Sequence, residues 1–147
     1  MNESRRKVRL LALSALHDLT TRKHRDSAHG LYRLKAYAQL SDEVRRGFVI
    51  QVGNILFRDR LAAPSLWLDP DVEVLGLTCQ PWSLPWVERV IDAARELRPD
   101  IRIWIGGSSA PHLLARGQVS WSERDLFFFG DTGRAEEPFR QAFTLQP

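Results

Sequence analysis

Apolar runs without helical period alternate along this chain with segments whose apolar residues recur every three or four positions. Val8 to Leu16 (VRLLALSAL) is such a run and predicts a first strand buried on both faces. Helical spacing begins after Gly30, with Leu31, Leu34 and Ala38 on one side, and predicts a helix that stops near Gly47, a natural residue just past a helix end. FVIQV (48–52) reads as a second strand, and Pro64 breaks what would otherwise be a short helix from Ile55 to Ala63. DPD (69–71) predicts a turn, VEVLGLT (72–78) a strand and CQPW (79–82) a loop. Ser83 can cap a helix with Pro85 in its permitted first turn, and Val87, Val90, Ile91, Ala94 and Leu97 then share one face. RPD (98–100) ends that helix; IRIWI (101–105) is the next strand, GGSSAP a loop and HLLARG a short helix closed by Gly117. DLFFF (125–129) predicts a last strand, GDTGRAEEP its exit loop and EPFRQAF the start of a closing helix.

Strands alternating with helices specify an open parallel sheet covered on both faces, and five strands make the flavodoxin-like, Rossmann-like order 2-1-3-4-5 the default. Ligands of such sheets bind beyond the carboxyl ends of the strands, where the strand order reverses. The loops of interest are therefore 17–30, 79–83, 106–111 and 130–134. Thr78, Cys79 and Gln80 leave the third strand, Gly106, Gly107, Ser108 and Ser109 the fourth, and Gly130, Asp131, Thr132 and Gly133 the fifth. Together they predict a shallow floor of backbone N–H groups and hydroxyls, on which a large flat ligand can lie. The competing reading of Gly106-Gly107 is a plain strand-to-helix turn. Trp104, alternating with Ile103 and Ile105, is expected in the core, whereas Trp82 lies in a switch-point loop.

At 147 residues and 44% hydrophobic composition the chain suits a single soluble domain, with tails over 1–7 and 144–147. The net charge of +3 comes mainly from RRKVR (5–9), RKHR (22–25) and Arg45-Arg46, too small a surplus to point to nucleic acid. The basic, then apolar N-terminus imitates a secretory leader, but Arg9 interrupts the run and no small-residue cleavage pattern follows, so a cytoplasmic location is expected and no membrane partner. A single cysteine, Cys79, means that this chain alone cannot assemble a disulfide, a thiolate zinc site or an iron–sulfur cluster. The chain has no phosphate-binding G-x-x-x-x-G-K-[ST] loop, no G-x-G-x-x-G after the first strand, no H-E-x-x-H and no G-x-S-x-G. A phosphorelay receiver would need acidic residues ending its first strand and an aspartate ending its third. Here those strands end His17-Asp18 and Thr78-Cys79.

Three segments together resemble one family, the cobalamin-binding domains that precede the catalytic barrel in cobalamin-dependent radical S-adenosylmethionine enzymes. DPDVEVLGLTCQPWSLPWVERVIDAARELRPDIRIWIGG (69–107) resembles that family's D-P-D-V-V-G-[IF]-[ST] strand, its helix ending L-[RK]-x-x-x-P and its strand ending Gly-Gly. HGLYRLKAYAQ (29–39) is similar to its first helix, and FFFGDTGRAEEPFRQAF (127–143) to its last strand with an acidic exit. The resemblance implies a corrinoid across the strand ends, its nucleotide tail running between the sheet and the flanking helices. Thr78, Cys79, Gln80 and Trp82 would then line one side, Gly106 to Ser109 would pass beneath the tail, and Gly130 to Gly133 would hold its far end. The cobalt-ligating D-x-H-x-x-G spacing of related methyltransferases is not matched by RDSAHG (25–30); His29 is the best-placed candidate ligand.

The resemblance further implies that the chain has no catalytic residues of its own and serves a radical S-adenosylmethionine domain or subunit, in a methyl transfer. The family's C-x-x-x-C-x-x-C belongs to the barrel, whose connection would begin near Pro147, so a partner chain or a C-terminal part is expected to carry it. Three other functions compete. One is a sensor holding haem or a corrinoid through His24 or His29. Another is a ligand-free interaction domain with Trp82 plugging the groove. The last is an independent enzyme for a small anionic substrate using Asp131, His112 and His17.

Overall fold

The computed structural model describes residues 4–13, 29–53, 63–127 and 136–144. Their elements run β1 (Arg6–Leu11), α1 (His29–Ala38), α2 (Asp42–Gly47), β2 (Phe48–Val52), a 3-10 turn (Pro64–Leu66), β3 (Val72–Thr78), α3 (Leu84–Leu97), β4 (Arg102–Gly106), α4 (Ala110–Arg116), β5 (Leu126–Phe127) and α5 (Glu136–Thr144). All strand pairs are parallel, in the order β2-β1-β3-β4-β5. Four strands of five to seven residues carry the sheet. The fifth full strand expected over 125–129 is corrected to a two-residue one: among the described residues Leu126 and Phe127 alone pair with β4, beside Trp104 and Ile105, and 128–129 lie outside them.

β3 and β4 bury both faces over most of their length, which is why their apolar runs show little alternation. On one face Leu11, Leu75, Ile103 and Ile105 pack against Val87, Val90 and Ile91 of α3 and Leu113 of α4. On the other, Val8, Leu10, Val74 and Trp104 meet Leu31 and Ala38 of α1, Val44 of α2, and Phe139 and Phe143 of α5. Trp104 takes edge-on contacts from both Phe139 and Phe143, at ring-centroid distances of 6.0 and 5.1 Å, so it is the core residue its strand position predicts.

The single helix expected from Gly30 to Gly47 is two. Ser41 interrupts it in an extended conformation, and its hydroxyl accepts the N–H of Val44 as the cap of α2. A serine whose oxygen offers the backbone an alternative partner converts one long periodic segment into a corner, and periodicity alone does not register it.

The basic run of β1 is neutralised locally, at the end of the sheet where the strands begin. Arg6 pairs with Glu73 at 2.7 Å, Lys7 with Asp71 at 3.1 Å and Asp69 at 3.5 Å, and Arg9 with Asp69 at 3.7 Å. Lys7 and Arg9 hold the DPD turn, and Arg6 the start of β3, against the first strand, so their charge serves the fold. No helix among the described residues is long and apolar enough to cross a membrane.

Candidate functional site

The carboxyl ends of β1, β3 and β4 are stripped of bulk on the face that looks toward α1 and α5. Leu10, Gly76 and Trp104 are register partners across three strands, and one position further on Thr78 stands beside Gly106. The glycine lets the leucine lean across the row, because a methyl group at Gly76 would come within 2.5 Å of Leu10 Cδ2. Leu31 and Leu34 of α1 and Phe139 of α5 roof this row, and Gly106 and Gly107 close its outer end. The result is a partly open, apolar cleft of about 60 Å³ between the strand ends and the two helices.

Gly76 was missed by the sequence reading, although a signal existed. Glycine inside a strand is unfavourable and often marks a place where something must approach closely. VEVLGLT carries one in its middle.

The roof is held together by α1–α5 side-chain bonds. Tyr37 donates its hydroxyl to Glu137 Oε2 at 2.7 Å, Arg140 donates to both oxygens of Glu137, and Arg33 reaches Glu136 at 3.3 Å. The Arg140 guanidinium and the Tyr37 hydroxyl hold the Glu137 carboxyl down at about 2, from an ordinary value of 4.5. The same bond raises the Tyr37 phenol above its usual value. A carboxylate whose folded value is depressed stabilises above its unfolded value and loses that contribution as the pH falls through its folded one. Thermal unfolding followed from pH 5 to pH 2 should therefore show a decline that is visibly shallower in Glu137→Gln, with the difference arising between about 4.5 and 2. Parallel curves would mean that the clamp adds nothing to the roof.

The predicted residues separate into three groups. Thr78, Gly106 and Gly107 line the cleft. Gln80 and Ser108 form an exposed rim beside it, where the Ser108 hydroxyl donates to Gln80 Oε1 at 2.7 Å. Cys79 and Ser109 belong to the scaffold: Cys79 is fully buried in the core on the α3 and α4 side, and Ser109 is buried with its N–H donated to the Cys79 carbonyl at 3.0 Å. Gly130, Asp131, Thr132 and Gly133, and the histidines His17 and His24, lie outside the described residues. His29 opens α1. His112 is exposed on α4, away from the cleft lining. Trp82 is 54% exposed and does not enter the cleft, so it plugs nothing.

Gly107 answers what its glycine is for. Its φ is +100°, a conformation L side chains rarely adopt, and an added methyl would sit 2.4 Å from the Cys79 carbonyl oxygen and 2.8 Å from the Cys79 nitrogen. Cys79 N–H donates to the Gly106 carbonyl at 2.7 Å, so the loops leaving β3 and β4 cross in direct backbone contact. What approaches Gly107 so closely is another piece of the chain, and the crossing fixes the outer wall of the cleft. Ser83 takes part as well. It occupies the cap position of α3, but instead of capping the helix its hydroxyl turns back, accepting the Gln80 N–H at 3.0 Å and facing the Gln80 carbonyl at 3.3 Å.

Burial pushes the Cys79 thiol up to about 11, with the nearby Glu88 carboxylate adding to the rise and Arg116 opposing it. A thiol so raised stays in its protonated form at neutral pH, the form least suited to attack or to metal binding. Because the folded value lies above the unfolded one, its contribution to stability is complete below about 9 and disappears as the pH rises through about 11. A rise from 9 to about 11 corresponds to roughly 2–3 kcal/mol. The wild-type unfolding free energy should fall more steeply than that of Cys79→Ala across this alkaline window; equal slopes would show that the thiol does not sense burial. No group of three or more histidine, cysteine or carboxylate side chains that could hold a metal ion is present among the described residues.

The chain matches no family model and no curated protein. Its fold is similar to that of a solved structure described as a novel cobalamin-binding protein from Desulfitobacterium hafniense DCB-2, with a TM-score of 0.60 and 18% sequence identity. The match covers 97% of this chain and 60% of that one, so this chain spans about 60% of its neighbour's length. At that identity the likeness speaks to the fold: an open, all-parallel α/β sheet.

Proposed function

We propose that the chain is a cobalamin-binding module that presents a corrinoid to a radical S-adenosylmethionine-type methyltransferase, carried on a partner chain or a C-terminal part. The observation that supports this reading is the apolar cleft between the strand ends and α1 and α5, lined by Gly76 and rimmed by Thr78, Gly106 and Gly107. It lies where the sequence resemblance puts the nucleotide tail, and a cobalamin-binding protein shares the fold.

Leu10 leans over Gly76 beside Trp104, and the other walls are leucine, phenylalanine and backbone, suited to an aromatic ring rather than to a charged group. At about 60 Å³ the cleft is smaller than the roughly 300–1,000 Å³ of typical ligand pockets, so the roof helices must yield when it fills. Gln80 and Ser108 would face the flat part of the ligand beyond the strand ends. A bound corrinoid supplies the alkyl-transfer chemistry, and this chain supplies placement and exclusion of water. Its one cysteine, buried and protonated, leaves cluster chemistry to the partner.

The test is a visible spectrum of the protein after incubation with hydroxocobalamin and desalting, with haem as a control. The corrinoid should remain at one equivalent, and Gly76→Val, which pushes Leu10 out of its place on the lining, should reduce retention at least about tenfold if the tail lies there. Retention of haem instead, lost on substitution of His24 and His29, would favour a sensor. Loss of both pigments would leave the fold as an interaction module.

A further inference from the structure

The apolar arc of α3 is wider than the face it buries. Val87, Val90, Ile91 and Ala94 turn into the core, whereas Trp86, Ala93 and Leu97 form a stripe along one flank, since residues seven and four apart stand above one another on a helix. Trp86 and Ala93 are half-buried, and Leu97 is 46% exposed. Trp82, four residues before Trp86 and 54% exposed, lengthens the stripe, and the 3-10 turn that packs on α3 carries Leu66, 62% exposed. Large apolar side chains gathered on one exposed flank mark a contact surface.

We propose that this flank of α3 is the contact surface of a symmetric dimer, covered by the same flank of a second copy that runs antiparallel to it. The flank lies on the opposite face of the sheet from the cleft, because α3 packs on the side of the strands that carries Leu75 and Ile103. Pairing there leaves both clefts open, so the inference stands apart from the corrinoid reading.

Charge decides the occupant. Arg89 and Glu96 border the stripe on its solvent side, seven residues apart, with Asp92 further round the helix. Arg89 lies over the Trp86 ring at 4.7 Å, and among the described residues neither it nor Glu96 forms an ion pair. The neighbouring arginines are committed: Arg95 to Asp125 on the far flank, and Arg98 to Asp100 and to the Asp69 and Pro70 carbonyls. A surface of one sign would meet one favourable and one opposing charge here. The same flank turned end to end meets two favourable ones: with the two-fold axis beside Ala93, Trp86 of each copy falls against Leu97 of the other, and Arg89 against Glu96. Ala93 leaves room for the helices to approach at the crossing, and tryptophan and arginine carry much of the energy in such contacts. About 20 Å of helix per copy makes a contact at the small end of stable interfaces, with a Kd on the order of 10–100 µM.

The experiment is sedimentation velocity on the purified protein without corrinoid, at about 5 to 500 µM. Wild type should pass from monomer to dimer across this range. Arg89→Glu and Glu96→Lys, both at exposed positions, should each weaken the dimer at least about tenfold, because each sets like charges against one another twice per dimer. An equimolar mixture of the two variants should dimerise within about threefold of wild type, since each then supplies the charge that the other's reversed position needs. Circular dichroism of each variant at the lowest concentration separates lost pairing from lost fold. A wild-type protein that stays monomeric to the highest concentration overturns the proposal and leaves the flank to a different chain. A dimer that neither variant weakens, or two weakened variants that mixing does not restore, overturns it as well, because the contact would then lie elsewhere or run another way.

Discussion

Replacing Gly107 by alanine should destabilise the domain by about 3 kcal/mol or more and lower its thermal midpoint by on the order of 10 °C. Two independent costs meet at this position. The backbone φ of +100° penalises any residue with a Cβ, and that Cβ would be driven to 2.4 Å from the Cys79 carbonyl oxygen. Relief by rotating a side chain is impossible, because the obstructing atoms are backbone held by two hydrogen bonds, Cys79 N–H to Gly106 O at 2.7 Å and Ser109 N–H to Cys79 O at 3.0 Å. Ser108→Ala, one residue on, removes an exposed bond to Gln80 and should change stability by no more than about 0.5 kcal/mol. Urea unfolding of the two variants separates the readings. If both leave the midpoint where it is, the loops do not cross as described, and the outer wall of the cleft loses its support.

The second large effect is expected at Asp125. Its side chain is fully buried, yet it accepts the N–H of Ile103 at 2.9 Å through one oxygen and that of Ser122 at 2.8 Å through the other, while Arg95 of α3 pairs with it. Arg95 also donates to the Ser120 carbonyl and lies over the Trp121 ring. One carboxylate thus ties the start of β4, the segment before β5 and the outer part of α3. Asp125→Ala leaves the buried Ile103 N–H and the part-buried Ser122 N–H without their acceptor and takes the carboxylate from Arg95, and should cost about 3 kcal/mol. Asp125→Asn keeps one acceptor and loses the charge, so it should fall between alanine and wild type. Hydrogen exchange at Ile103 offers a local readout. Unchanged protection in Asp125→Ala would show that β4 does not depend on this carboxylate.

The pattern of apolar runs was enough to place most elements. FVIQV and VEVLGLT lie in the strands they predicted, and Pro85 stands in the first turn of α3. The reason is that a parallel strand covered on both faces and a helix covered on one write different apolar periods, a property of local backbone geometry. Where local bonds compete, the period misleads. Ser41 divided a helix, and Ser83 spent its hydroxyl on Gln80 instead of the helix end. Within DLFFF, Leu126 and Phe127 are strand among the described residues and pair with β4 at the edge of the sheet.

The candidate site was legible in outline. The strand-end rule selected the loops after β3 and β4, and Thr78, Gly106 and Gly107 do meet there. Sequence could not tell which of the neighbouring residues face the cleft. Thr78 and Cys79 are adjacent, yet one lines the cleft and the other is buried in the opposite core, because successive side chains leave a strand on opposite faces. Choosing the face required the register.

The sequence by itself determined the alternation of strand and helix, hence a parallel sheet with its loops of interest at one end. It also determined a single thiol and a charge too small to define a partner. Only the tertiary structure decided that Gly76 falls between Leu10 and Trp104, that α1 and α5 roof the cleft, and that Gly107 yields to Cys79. Those facts depend on pairs of residues distant in the chain. Their cause is long-range packing, which leaves no period in the sequence that makes it.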